Sequence, residues 1–161
     1  MLDNRKKEAI LVLHDIRSAQ NVGALFRTAD AIGISKIYLS SITPGPIDRF
    51  GRQRSDIAKT ALGAEKSIPS EHYEDIVALI EKYKSEGYIT VAIEQSNSSV
   101  DYKKIERTEK MFFILGNEVG GISQDILSRV DIVAEIPMVG EKESLNVSVA
   151  AGIVLFRLLD N

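Results

Sequence analysis

An α/β fold, with a mostly parallel sheet covered by helices on both faces, is what this 161-residue sequence predicts, and three observations carry it. Apolar runs of strand length alternate with helical segments along the whole chain. No Pro-, Gly- or Ser-rich linker divides it, and the length suits one well-buried domain, residues 1–161, better than two. The composition, 44% hydrophobic and 27% charged, is that of a globular domain and excludes a disordered one.

The elements follow in order. Ala9-Ile10-Leu11-Val12-Leu13 reads as a buried strand, followed by a polar turn and a helix over about 22–31 that Gly33 stops. Residues 36–39 form the next strand, Pro44-Gly45-Pro46 breaks the chain into a loop, and Ser55 is expected to cap a short helix ending near Gly63. Ile76, Leu79, Ile80 and Tyr83 recur at helical spacing within 74–84, which Gly87 closes before a strand over 88–93. A strand over 111–115, a helix over 123–129, a strand over 132–136 and a helix over about 145–159 complete the chain.

With no Cys and only His14 and His72, the chain lacks the thiolate cluster or paired histidines that a zinc site needs, and no metal cofactor is expected. Its start carries Asp3, Arg5, Lys6, Lys7 and Glu8 in place of an apolar secretory segment, and no apolar stretch approaches the roughly 20 residues that span a bilayer. A cytoplasmic protein without a membrane partner is expected. The net charge of -3 argues against a nucleic-acid binder, but the charge is unevenly spread. Residues 1–66 hold 11 basic and 7 acidic side chains, whereas residues 67–161 hold 9 and 16. Arg49, Arg52, Arg54 and Lys59 fall within eleven residues, with Asp48 just before them and Asp56 among them as the only acidic neighbours. Such a cluster is either a solvated loop or a phosphate-contacting surface.

Three segments place polar residues at strand or helix ends, where ligands of open α/β sheets bind. The first, from Asn21 to Asp30, sets Asn21 and Arg27 six residues apart, roughly 9 Å along a helix axis. By itself it reads first as an Asn21 N-cap and an exposed helical Arg27. The second, Phe112 to Ser123, is an apolar strand breaking into a turn with Gly116, Gly120 and Gly121. Its spacing fits neither G-x-G-x-x-G nor the phosphate loop, and Glu118 is a carboxylate that the turn itself does not require. The third runs from Ile136-Pro137-Met138 to Ser144-Leu145-Asn146, at the start of a helix with no charged side chain from Leu145 through Phe156. A helix that is apolar all round is expected to be buried on nearly every face, here against the same helix of a second copy, with Ser144 as its cap.

Together these segments resemble the three motifs of the SpoU family of RNA methyltransferases, in the SPOUT superfamily. The first motif corresponds to Asn21 through Ala29, the second to Gly116-Asn117-Glu118-Val119-Gly120, and the third to Ile136-Pro137-Met138 with Ser144-Leu145-Asn146. The resemblance implies an α/β fold with a deep carboxyl-terminal trefoil knot, which the general rarity of knots would not have suggested. It implies transfer of a methyl group from S-adenosyl-L-methionine to a ribose 2′-hydroxyl. Cofactor contacts would come from Ile93, Leu115, Gly116, Gly120, Ile136, Met138, Ser144 and Leu145, much of them backbone. Arg27, Asn21, Glu118, Ser144 and Asn146 would face the acceptor ribose. Arg27 would serve as general base or, since guanidinium stays protonated, as a clamp on phosphate and developing alkoxide, leaving the proton to Glu118 or solvent.

The rival expectations are a catalytically silent RNA-binding knot protein and an unrelated nucleotide-binding α/β protein. Many relatives carry a separate RNA-recognition domain, whereas here the first strand begins about nine residues in. RNA is therefore expected to be gripped through Arg17, Arg49, Arg52 and Arg54 of a homodimer. Stand-alone members often modify transfer RNA, which is favoured here over ribosomal RNA.

Overall fold

Parallel pairing of near-continuous apolar strands organises the chain in the computed structural model, which describes residues 7–160. Asp3, Arg5 and Lys6 of the charged start lie outside those residues. The strands are β1 (Glu8–Leu13), β2 (Lys36–Leu39), β3 (Ser70–His72), β4 (Ile89–Ile93), β5 (Val100–Asp101), β6 (Lys110–Leu115) and β7 (Ile132–Glu135). They form one sheet in the order β3-β2-β1-β6-β4-β7-β5, every pair parallel. The register sets Leu13 beside Leu115 and Leu115 beside Ile93, so the central strands end level with one another.

The helices are α1 (Ala19–Ile32), α2 (Ser55–Ala61), α3 (Ala64–Ser67), α4 (Ile76–Ser85), α5 (Gln124–Leu127) and α6 (Val147–Leu159). They cover both faces, as the alternation of strand and helix predicts. Leu11, Leu13, Phe113 and Leu115 pack with Leu25 and Phe26 of α1, Ile57 of α2 and Val154 and Leu155 of α6. The intervening Ile10, Val12, Phe112 and Ile114 pack with Leu79, Ile80 and Tyr83 of α4 and with Ile126 and Leu127 of α5. Burial on both faces is why these strands read as unbroken apolar runs instead of alternating ones.

Several local expectations are corrected. Ser18, not Asn21, is the N-cap of α1, its side chain accepting from the Asn21 N–H, so Asn21 stands inside the first turn. Arg54 occupies the N-cap position of α2 without a side-chain cap, and Ser55 is the first helical residue. That helix ends at Ala61, where Leu62 and Gly63 turn left-handed (φ 53° and 96°) before the short α3. Asn146 instead of Ser144 caps α6, which begins at Val147, two residues later than its apolar pattern suggested. The edge strands β3 and β5 escaped the sequence reading, because three and two residues of mixed polarity carry no period. The place of β6 between β1 and β4, and of β7 between β4 and β5, accords with the threaded carboxyl-terminal path that the resemblance implies. Among the described residues no helix is long and apolar enough to cross a membrane.

One close approach fixes α1 against α2. A Cβ on Gly23 would lie 1.9 Å from Thr60 Oγ1 and 2.5 Å from the Ile57 carbonyl oxygen, and a backbone carbonyl cannot swing aside as a side chain can. Gly23→Ala should therefore destabilise the protein by about 1–3 kcal/mol through overpacking, despite the better helix propensity of Ala. A lower urea midpoint at unchanged slope would register it; an unchanged or higher midpoint would show that the two helices are free to part.

Candidate active site

Because β4, β6 and β7 are parallel neighbours, the loops that follow them emerge on one edge of the sheet, and a cavity of about 460 Å³ opens there. Ile93, Leu115, Ile136, Met138 and Leu145 give it apolar walls, and Gly116 contributes a stretch of wall without a side chain. A Cβ at Gly116 would meet Ile122 Cγ1 at 2.4 Å and the Gly121 carbonyl carbon at 2.8 Å, so only glycine permits this strand-to-loop turn. Asn21, Glu118, Ser144 and Asn146 supply polar groups at the same cavity.

The loop after β6 is held by its own side chains. Asn117 Oδ1 accepts from the N–H groups of Val119 and Gly120 (both 2.8 Å), while Asn117 Nδ2 donates to the carbonyl of Asp15 (2.7 Å). Gly120 is occupied in this turn and does not line the cavity, unlike the other motif glycine Gly116. Glu118 reaches across to the start of α1. Its carboxylate accepts from the backbone N–H groups of Ser18 (3.3 Å) and Arg17 (3.5 Å) and from Asn21 Nδ2 (3.3 Å). Asn146 Nδ2 in turn donates to Asn21 Oδ1 (3.4 Å), and Asn146 Oδ1 accepts from Ser148 N–H (2.9 Å). Three segments separated by up to 125 residues thus join in one polar chain, Glu118–Asn21–Asn146.

Partial burial pushes the Glu118 carboxyl up, but its own backbone N–H, Asn21 and the amides at the start of α1 together outweigh that and hold it below the ordinary carboxylate range. Free N–H groups at a helix N-terminus favour a negative charge, which is the physical reason the ionised form prevails.

Other expected residues lie elsewhere. Arg27 is exposed on α1 and lines a separate shallow depression with Ala24, Thr28, Lys59, Thr60 and Phe156; within one chain it does not reach the cavity. The side chain of Arg17 is exposed beside the Glu118 contact. Arg49, Arg52 and Arg54 stand on the loop after β2, away from the cavity. Arg52 is paired with Asp48 (3.0 Å), and Arg54 holds Asp56 with both Nε (3.1 Å) and Nη2 (2.7 Å). Sequence reading missed Glu94, Gln95 and Glu135, which line the cavity directly at the ends of β4 and β7. Glu94 Oε2 accepts from Ile122 N–H (3.1 Å), and Gln95 Nε2 donates to the Glu143 carbonyl (2.7 Å). The rule that ligands of parallel sheets sit beyond the strands' carboxyl ends would have pointed to all three. Among the described residues no group of three or more His, Asp or Glu is placed to hold a metal ion.

A family model described as the SpoU rRNA Methylase family matches residues 8–156. The chain is 30% identical to the tRNA (guanosine(18)-2′-O)-methyltransferase of Aquifex aeolicus over 156 residues, 97% of this chain and 71% of that enzyme. It is also 30% identical to the enzyme of the same description from Escherichia coli K12, covering 97% of this chain and 65% of the relative. Among solved structures, an AdoMet-bound rRNA methyltransferase from Sinorhizobium meliloti superposes with a TM-score of 0.84 at 28% identity, over 96% of this chain and 57% of that one. The chain thus spans about two thirds of the length of the curated relatives it matches.

The lowered pKa of Glu118 has a measurable consequence. A carboxyl that titrates lower when folded than its ordinary value of 4.5 contributes stability that is complete above that pH and is lost as pH falls through the folded value. Glu118→Gln should lower the thermal midpoint near neutral pH, and the gap to wild type should close in acid. A gap of the same size at every pH would show that the charge of Glu118 plays no part in holding the loop to α1.

Proposed function

The chain belongs to the SpoU rRNA methylase family, and from that premise we propose that it transfers a methyl group from S-adenosyl-L-methionine to a ribose 2′-hydroxyl of RNA, with transfer RNA as the favoured substrate. The observation that carries the proposal is the meeting of Asn21, Glu118 and Asn146, from three distant segments, at the cavity beyond β4, β6 and β7. At about 460 Å³, with apolar walls and a few convergent polar groups, that cavity suits a nucleoside-sized ligand. Ile93, Leu115, Ile136, Met138 and Leu145, with the backbone at Gly116 and Ser144, would hold S-adenosyl-L-methionine; Glu94, Gln95 and Glu135 add acceptors and a donor for its hydroxyl and amino groups. When bound, it supplies an electrophilic methyl carbon.

The chain's own groups then orient the acceptor and manage one proton. Asn21, with one amide hydrogen and one carbonyl lone pair to spare, and Asn146, with one amide hydrogen to spare, would fix the ribose. Glu118 holds Asn21 in place, and its ionised carboxylate or solvent would take the 2′-hydroxyl proton. Arg27 acts as the clamp on phosphate and developing alkoxide. Since it does not reach the cavity of its own chain, this role requires a second copy. The face of α6 supports one: its apolar Val149 and Phe156 are 50% and 41% exposed, and Phe156 lies beside Arg27. We read the protein as a cytoplasmic homodimer joined along this face.

Separate incubations of bulk tRNA and of ribosomal RNA with labelled S-adenosyl-L-methionine, followed by mapping of ribose methylation, test the reaction; label found only in ribosomal RNA would move the substrate, and none in either would defeat the proposal. Arg27→Ala should abolish transfer while the thermal shift produced by S-adenosyl-L-methionine persists, and Arg27→Lys should stay poorly active at every pH. Activity of the Lys variant that climbs steeply with pH would make position 27 the base instead. Sedimentation should give a dimer at micromolar concentration and a monomer for Phe156→Glu, the latter inactive although it still responds to S-adenosyl-L-methionine.

A further inference from the structure

The loop between β2 and α2 carries an aromatic side chain that neither the core nor the cavity uses. Phe50 is 67% exposed, and the guanidinium carbons of Arg49 and Arg52 lie 4.8 and 5.1 Å from its ring centroid. The exposure is built in. Ile47 and Gln53 pair as an antiparallel bridge, the Arg54 N–H donates to the Pro46 carbonyl (2.9 Å), and the Asp48 N–H donates to the Arg52 carbonyl (2.8 Å). Asp48 Oδ1 accepts from the N–H groups of both Phe50 (2.8 Å) and Arg52 (2.9 Å), and its Oδ2 accepts from Arg52 Nε (3.0 Å). Gly51, at φ +77°, makes the left-handed step that closes the tip. A hairpin of nine residues, with one carboxylate at its centre, thus holds a phenyl ring out in water between two cations.

Such a ring offers a π face and the arginines offer charge, which is the combination that takes a planar base with phosphates on either side. A paired helix hides the faces of its bases, whereas a loop or bulge exposes them. We infer that Phe50 stacks on an unpaired base of the RNA while Arg49 and Arg52 hold the adjoining phosphates, so that the hairpin selects a single-stranded feature of the substrate. This inference rests on the RNA reading above and adds to it a recognition site outside the cavity.

The chain has no Trp, so Phe50→Trp introduces a single fluorescent reporter at the tip. Its emission should be quenched by bulk tRNA and by a single-stranded RNA oligonucleotide, and hardly at all by a fully paired duplex of equal length at matched occupancy. Phe50→Leu should weaken binding of the single strand on the order of tenfold with an unchanged salt slope, whereas Arg49→Ala should flatten that slope by about one unit. Emission indifferent to RNA that filter retention shows to be bound would overturn the inference and leave the methyltransferase reading standing. Equal quenching by duplex, or a shift on protein dilution without RNA, would overturn it too, the latter assigning Phe50 to a contact between copies. Wild-type protein that retains no RNA at all would take down both readings together.

Discussion

Glu118 follows the central strand, yet its carboxylate is held by Arg17, Ser18 and Asn21, about a hundred residues earlier in the chain. What makes the contact available is the parallel pairing of β1 with β6, which sets Leu13 level with Leu115 and so brings the two following loops out side by side. The rest of the site depends on this junction. It fixes where α1 begins, hence where Asn21 points, hence which residue Asn146 can meet at the start of α6. An antiparallel pair would have sent the two loops to opposite ends of the sheet.

The features legible in the sequence were those enforced by burial. Phe112 to Leu115 could only be a strand covered on both faces, and the motif residues Asn21, Glu118 and Asn146 converge although nothing in their spacing says so. What escaped was decided by local hydrogen bonding. Asn146, Ser144 and Leu145 all stood at a plausible helix start, and only the bond from Ser148 N–H to Asn146 Oδ1 selects the cap. Gly116 and Gly120 looked alike as loop glycines, but one lines the cavity while the other binds Asn117. Arg27 differs again, because its distance from the cavity follows from the direction in which α1 runs, which no motif records.

Charge shows the same division between sum and placement. A total of -3 conceals a loop in which Asp48 and Asp56 engage Arg52 and Arg54. Arg52 and Asp56 are exposed while Asp48 and Arg54 are half-buried, and an incoming phosphate that takes the place of Asp48 Oδ2 on Arg52 Nε leaves Asp48 Oδ1 on the backbone N–H groups of Phe50 and Arg52. Asp48 serves the loop more than it neutralises it, since its carboxyl is lowered first of all by the backbone N–H of Arg52. Removing Asp48 to make the surface more basic would unshape the hairpin that presents the arginines.

The same pairing of β1 with β6 governs how the chain is made. During synthesis β1 emerges before both of its neighbours, and the one on one side, β2, follows within about thirty residues. The other edge, from Ala9 to Leu13, must wait roughly a hundred residues for Met111 to Leu115. At ordinary translation speeds that is about 5–20 s during which an apolar strand edge stands open on the ribosome. The nascent chain is therefore a natural client for chaperones until β6 has been inserted, and slowing of translation downstream of β1 would lengthen the window in which it can pair with the wrong neighbour.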